Sequence, residues 1–275
     1  MSSFTLVRAW LIGPIALAAV ALLAHFRAPA PANHFHGATA IAIGSSLSAH
    51  GLAEQGSAAT SFAPGGSPSW RIGIAQASAD QILTLIEAAS RERARLVVIE
   101  VNPLIAGLAY DAHARCNQPA ARTRTWLKAV QLGFVDMLRR LFGARTAIEG
   151  MGEPAGMNLP QQINADRLRA SYPLDIHAPC DLPRLKKALA AIEAGGGRAV
   201  LALPPRAPVG DAWLGSEQSA ALRQQALTLA ADLQVPLFEA PPPWRNDQFT
   251  DHAHLNAAGR ASYTAALRAW LEAQQ

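Results

Sequence analysis

The sequence predicts an α/β fold in which a parallel sheet is covered by helices on both faces. Three observations predict it. After residue 38, short apolar runs alternate with longer stretches of helical spacing. The apolar runs are continuous rather than alternating, as strands buried on both faces require. Gly, Ser, Asn and Asp residues gather where those runs end, at the edge where a parallel sheet holds its ligand crevice.

The elements follow in order. Residues 39–44 read as a first strand that breaks at Gly44-Ser45-Ser46, placing a hydroxyl on a tight strand-to-helix turn. Residues 58–63 are a candidate short second strand, followed by Gly65-Gly66-Ser67, and helical spacing runs over 74–93. Residues 95–101, Arg-Leu-Val-Val-Ile-Glu-Val, are the clearest buried strand and end at Asn102-Pro103. Trp126, Leu127, Val130, Phe134, Leu138 and Leu141 would share one face of a helix over 124–142. A helix over 182–194 is stopped by Gly195-Gly196-Gly197. A strand over 198–203, a helix over 216–233, a short strand over 235–238 and a closing helix over 256–273 complete the series. The interval around 104–180, with its Gly/Pro/Met-rich stretch at 150–161, reads as an insertion over the crevice.

With 275 residues, 50% hydrophobic and only 16% charged, the chain is neither disordered nor a coiled coil. That length holds one sizeable domain, placed at residues 39–275. The net charge of +4 comes without a Lys/Arg block interleaved with aromatics, so no nucleic-acid partner is expected. At the start, Arg8 precedes an apolar stretch from Ala9 to Ala24 that closes at His25-Phe26-Arg27. Residues 1–27 therefore read as an N-terminal membrane anchor or signal segment, with an uncleaved anchor preferred, and residues 28–38 as a Pro-rich linker. Everything after it is expected outside the cytoplasm, in the periplasm of a cell with an inner membrane. Cys116 and Cys180 could then be bridged or be two unrelated thiols, and the sequence leaves both open.

Chemistry concentrates at the two ends. Ser46 is the candidate nucleophile, a hydroxyl that needs a base within hydrogen-bond reach. Asp251-His252-Ala253-His254 supplies one: His254 as base, Asp251 to orient its ring and stabilise the imidazolium. His252 competes with His254, which is preferred because it directly precedes a helix start at Leu255-Asn256, with Asn256 as the cap. Negative charge on a tetrahedral intermediate needs donors. The candidates are the Ser46 N–H, the backbone of Gly66 (or Gly65), and the Asn102 amide, although Gly65-Gly66-Ser67 and Asn102 are also ordinary turn residues. His34-x-His36 and His252-x-His254 are the close histidine pairs, and neither has a third ligand at suitable spacing, so no metal and no cofactor are expected. Trp70, Trp213 and Trp244 could stack on a sugar or sit in the core.

Taken together these residues resemble the SGNH (GDSL-like) hydrolase superfamily. The resemblance rests on Gly44-Ser45-Ser46 for the nucleophile block, Gly66 for the second, Asn102 for the third, and Asp251-x-x-His254 for the last. It implies a three-layer α/β/α domain with a five-stranded parallel, flavodoxin-like sheet. It also implies catalytic Ser46, Asp251 and His254, with an oxyanion hole of Ser46, Gly66 and Asn102. Three positions depart from the family pattern: Ser45 stands for its Asp, Glu100 for a Gly and Pro103 for an Asp. Within the superfamily the chain looks most like a membrane-anchored branch that includes the D-alanyl transfer protein of teichoic acid modification and proteins of exopolysaccharide O-acetylation. That likeness implies a serine esterase or O-acyltransferase acting on acyl, foremost acetyl, esters of a cell-surface polysaccharide or glycolipid. It implies a membrane-bound O-acyltransferase as partner. The alternative is a non-catalytic assembly factor that docks to such an acyltransferase or to a polysaccharide synthase.

Overall fold

The computed structural model describes residues 35, 38–53, 55–57, 59–74, 77–108 and 174–275. The expected anchor, nearly all of the linker, the helix over 124–142 and Cys116 lie outside the described residues. Cys180 is buried and disulfide-bonded. Among the described residues no helix is long and apolar enough to cross a membrane.

Eight strands are described: β1 (Ala40–Ser45), β2 (Gln55–Gly56), β3 (Ser69–Ile74), β4 (Leu96–Glu100), β5 (Ala106–Leu108), β6 (Leu174–Ile176), β7 (Arg198–Leu203) and β8 (Leu237–Glu239). The main sheet runs β2-β3-β1-β4-β7-β8. Its five long-range pairings place β3, β1, β4, β7 and β8 in parallel, with β2 an antiparallel edge. Counting the parallel strands in chain order gives 2-1-3-4-5, the order of flavodoxin-like sheets. β5 and β6 form a separate antiparallel pair, with Ala106 opposite Ile176 and Leu108 opposite Leu174.

The helices are α1 (Ser46–Gly51), α2 (Ala79–Arg91), α3 (Asn102–Ile105), α4 (Leu182–Ala194), α5 (Pro208–Leu214), α6 (Ser216–Leu233) and α7 (Ala257–Glu272). Successive residues of a strand point to opposite faces, and β1 divides the core accordingly. Ile41 and Ile43 pack with Ile82, Ile86, Leu185 and Leu229 on the face carrying α2, α4 and α6. Ala40 and Ala42 pack with Phe238, Tyr263, Leu267 and Leu271 on the face carrying α7. Start signals are local. Ser78 and Gln81 form a capping box on α2, Asp181 caps α4, and Asn256 caps α7 by accepting from the Gly259 N–H at 3.0 Å.

One strand differs from the sequence expectation. Residues 59–63 are not a strand but a turn-rich loop: the Thr60 and Ser61 N–H groups donate to Ser57 O, and the Ala63 N–H donates to Ser61 Oγ. The second parallel strand is β3 instead, taking Ile74 from the front of the expected helix. Its Ser-Trp-Arg-Ile-Gly-Ile sequence hides the strand because Arg71 and Gly73 interrupt the apolar run. Gly73 is required there, since a Cβ would stand 2.5 Å from Ala49 Cβ of α1.

Candidate active site

Four loops at the carboxyl ends of parallel strands converge on one edge. β1 runs directly into α1, so Ser46 is the first residue past the strand, with Ser45 as cap accepting from the Leu47 N–H at 3.1 Å. Asn102 follows β4, Arg206 follows β7, and Asp251 and His254 lie between β8 and α7. The last of these loops is pinned at both sides. Thr250 N–H donates to His254 O at 2.8 Å, Phe249 bridges Leu255, and Asn256 begins α7.

Within that loop the Asp251 carboxylate accepts from the Ala253 and His254 N–H groups, both at 2.8 Å, and from His254 Nδ1 at 2.7 Å. With Nδ1–H given to Asp251, Nε2 is the free acceptor, and it lies 2.9 Å from Ser46 Oγ. Ser46, His254 and Asp251 therefore form one hydrogen-bonded chain. Burial works to raise the Asp251 carboxyl, but the hydrogen bond and charge of His254 and the two N–H groups outweigh it and hold it below the usual carboxylate range. The carboxylate stays ionised beside the ring it orients. His252 points elsewhere, its ring edge-on to the buried Trp213 at 5.2 Å.

The oxyanion candidates separate. Asn102 is at the site edge, and among the described residues its buried Nδ2 and Oδ1 have no hydrogen-bond partner. A buried amide without a partner is costly unless a ligand completes it. The Ser46 N–H is engaged by no side chain among the described residues, whereas those of Ser45, Leu47 and Ser48 are all taken by side-chain oxygens.

Gly66 does not join them, which corrects the sequence expectation. Since the second parallel strand is β3, the glycines precede their strand instead of following it, and so lie at the opposite edge of the sheet. Gly65 N–H donates to Glu272 at the far end of α7, a helix of 16 residues or about 24 Å from the end that carries His254. Gly65 and Gly66 have φ of 63° and 69°, so their role is to make the turn into β3.

Three residues near the triad were given no role from sequence. His50, in α1, meets the His254 ring edge-on at 4.7 Å. Glu100, 1% exposed at the end of β4, accepts four hydrogen bonds from Ser45 and Ser48. Burial lowers the Arg206 guanidinium, while the charges of Asp211 and Glu100 favour it. Only Glu100 left a trace in the sequence, as a departure from the pattern the chain resembles and a charge at the end of an apolar strand. The tryptophans are packed rather than presented to a ligand: Trp213 is buried, Trp70 packs on the core, and Trp244 lies against Phe249 at 6.0 Å.

No protein-family model and no curated protein matches the chain. Among solved structures it is similar to a Bacteroides fragilis protein provisionally described as an acylhydrolase, at 10% identity and a TM-score of 0.41, covering 86% of each chain.

Proposed function

We propose that this protein is an extracytoplasmic, SGNH-type serine esterase or O-acyltransferase acting on acyl, foremost acetyl, esters of a cell-surface polysaccharide or glycolipid. The observation that carries the reading is the unbroken chain from Ser46 Oγ through His254 to Asp251, at 2.9 and 2.7 Å. Ser46 Oγ attacks the ester carbonyl carbon while its proton passes to His254 Nε2, and Asp251 stabilises the imidazolium. The carbonyl oxygen, now negative, is met by the Ser46 N–H and the Asn102 amide. Collapse expels the alcohol, which takes the proton back from His254, and leaves the acyl group as an ester on Ser46. Water or a sugar hydroxyl then repeats the sequence in reverse. Hydrolysis and transfer share these groups and differ in what reaches the acyl-enzyme.

The surface-glycan substrate, the membrane anchor and a membrane-bound O-acyltransferase partner are carried by the sequence resemblance and the apolar stretch Ala9 to Ala24. The test is p-nitrophenol release from p-nitrophenyl acetate by the full chain in mild detergent, beside Ser46→Ala and His254→Ala. Loss of turnover in both folded variants supports the reading. Equal rates in all three would overturn it and favour the assembly-factor alternative.

A further inference from the structure

Glu100 has a role that the triad alone does not explain. Its Oε2 accepts from the Ser45 N–H at 2.8 Å, the Ser48 N–H at 3.1 Å and Ser48 Oγ at 2.7 Å, and its Oε1 accepts from Ser45 Oγ at 2.6 Å. Ser45 and Ser48 bracket Ser46, so one carboxylate grips the chain on both sides of the nucleophile. Because β4 pairs directly with β1, it does so from a rigid neighbouring strand. The surroundings are built to admit it. A Cβ at Gly44 would stand 2.4 Å from Glu100 Oε2 and 2.7 Å from its Cβ, so only glycine lets the carboxylate reach beneath the turn.

The grip also sorts the donors. Four N–H groups run from Ser45 to Ser48. Glu100 takes the first and last, Ser45 Oγ takes that of Leu47, and the Ser46 N–H is left without a side-chain acceptor among the described residues. A free carboxylate oxygen near that N–H would compete with a substrate oxyanion. Here both oxygens are occupied by the flanking serines.

We propose that Glu100 is a positioning residue for acyl transfer, holding Ser46 in line with His254 and reserving the Ser46 N–H for the tetrahedral oxygen. The proposal rests on the esterase reading above. It also bears on Ser45: a cap at that position accepts from the second and third N–H beyond it, and here Ser45 Oγ takes that of Leu47 while Glu100 takes that of Ser48, so the two side chains divide the work of one Asp cap.

The test compares the full-length protein with Glu100→Ala, Glu100→Gln and Ser45→Asp/Glu100→Ala, measuring kcat and KM for p-nitrophenyl acetate together with Tm. Misplacing a nucleophile by an ångström costs on the order of 100-fold, and Glu100→Ala is expected to lose about that factor in kcat with KM within roughly threefold. Glu100→Gln keeps an oxygen for both N–H groups and an NH2 for Ser45 Oγ, and should stay within about tenfold of the parent. The relocated carboxylate should recover part of the loss. If Glu100→Ala does not fold, Ser48→Ala decides, with an expected fall in kcat of about tenfold for one lost hydrogen bond. A folded Glu100→Ala, or in its absence Ser48→Ala, with parental kcat overturns the proposal, and a fall in Tm alone would leave Glu100 a purely structural residue. An inactive parent would instead sink the esterase reading, and this proposal with it.

Discussion

The ring of His50 meets the ring of His254 edge-on, with centroids 4.7 Å apart and planes at 65°. Burial first, and then the charges of His254 and Arg260, push His50 down to about 4; Asp251 opposes them, and Arg71 adds the smallest push. His50 is therefore neutral at neutral pH, so it adds no second positive charge beside the imidazolium that catalysis would form.

That depression makes stability pH-dependent. Between the ordinary value of 6.5 and about 4, the unfolded chain takes up a proton at His50 that the folded chain refuses. Stability therefore falls as pH falls through that window. His252, also lowered by burial, works in the same direction. Asp251 does not contribute there: its folded value lies below its unfolded one, so its stabilisation is intact above the ordinary carboxylate range. Thermal unfolding at pH 7 and pH 5 should show a drop in Tm that His50→Gln makes smaller. An unchanged drop in that variant would mean that His50 is not the group responsible.

Asn102 should show opposite effects on activity and stability. Its amide is buried with no partner among the described residues, so Asn102→Ala removes a desolvated group without breaking a hydrogen bond. Loss of an oxyanion donor typically costs about 100- to 1000-fold in kcat. The variant is expected to lose activity on that scale while its Tm stays level or rises. A stable variant with parental kcat would remove Asn102 from the oxyanion hole.

Gly66 should show the reverse. At φ of 69° an alanine is strained by about 1–2 kcal/mol, so Gly66→Ala should unfold at lower temperature. Because the residue lies at the opposite edge of the sheet from Ser46, kcat for a small ester should stay within about twofold of the parent, well under the effect of a lost donor. A loss of 100-fold or more with the fold intact would return Gly66 to the catalytic centre.

How much of this was legible in the sequence depended on how local each signal was. Helix α4 and strand β7 fall where the sequence puts them because Gly195 and the apolar run at 198–203 are self-contained signals. The pairing of Asp251 with His254 was legible because three residues on one turn suffice to form it. β3 was not, because Arg71 and Gly73 make sense only once α1 is packed against the strand. That single displacement carried Gly66 to the wrong edge. Glu100 was visible as a departure and a charge in an apolar strand, but its role was not, since its partners lie 52 and 55 residues away and meet it through the pairing of β1 with β4. Ser45 and Glu100, two of the positions at which the sequence departs from the pattern it resembles, are hydrogen-bonded to each other.

The most direct test of the central claim is covalent capture of the nucleophile. The full-length protein would be treated with a fluorophosphonate and its peptides mapped by mass spectrometry. One phosphonyl group is expected, on Ser46, formed at a rate that His254→Ala lowers by a factor on the order of 1000 or more. Labelling elsewhere, or labelling of Ser46 that is indifferent to His254, would contradict it.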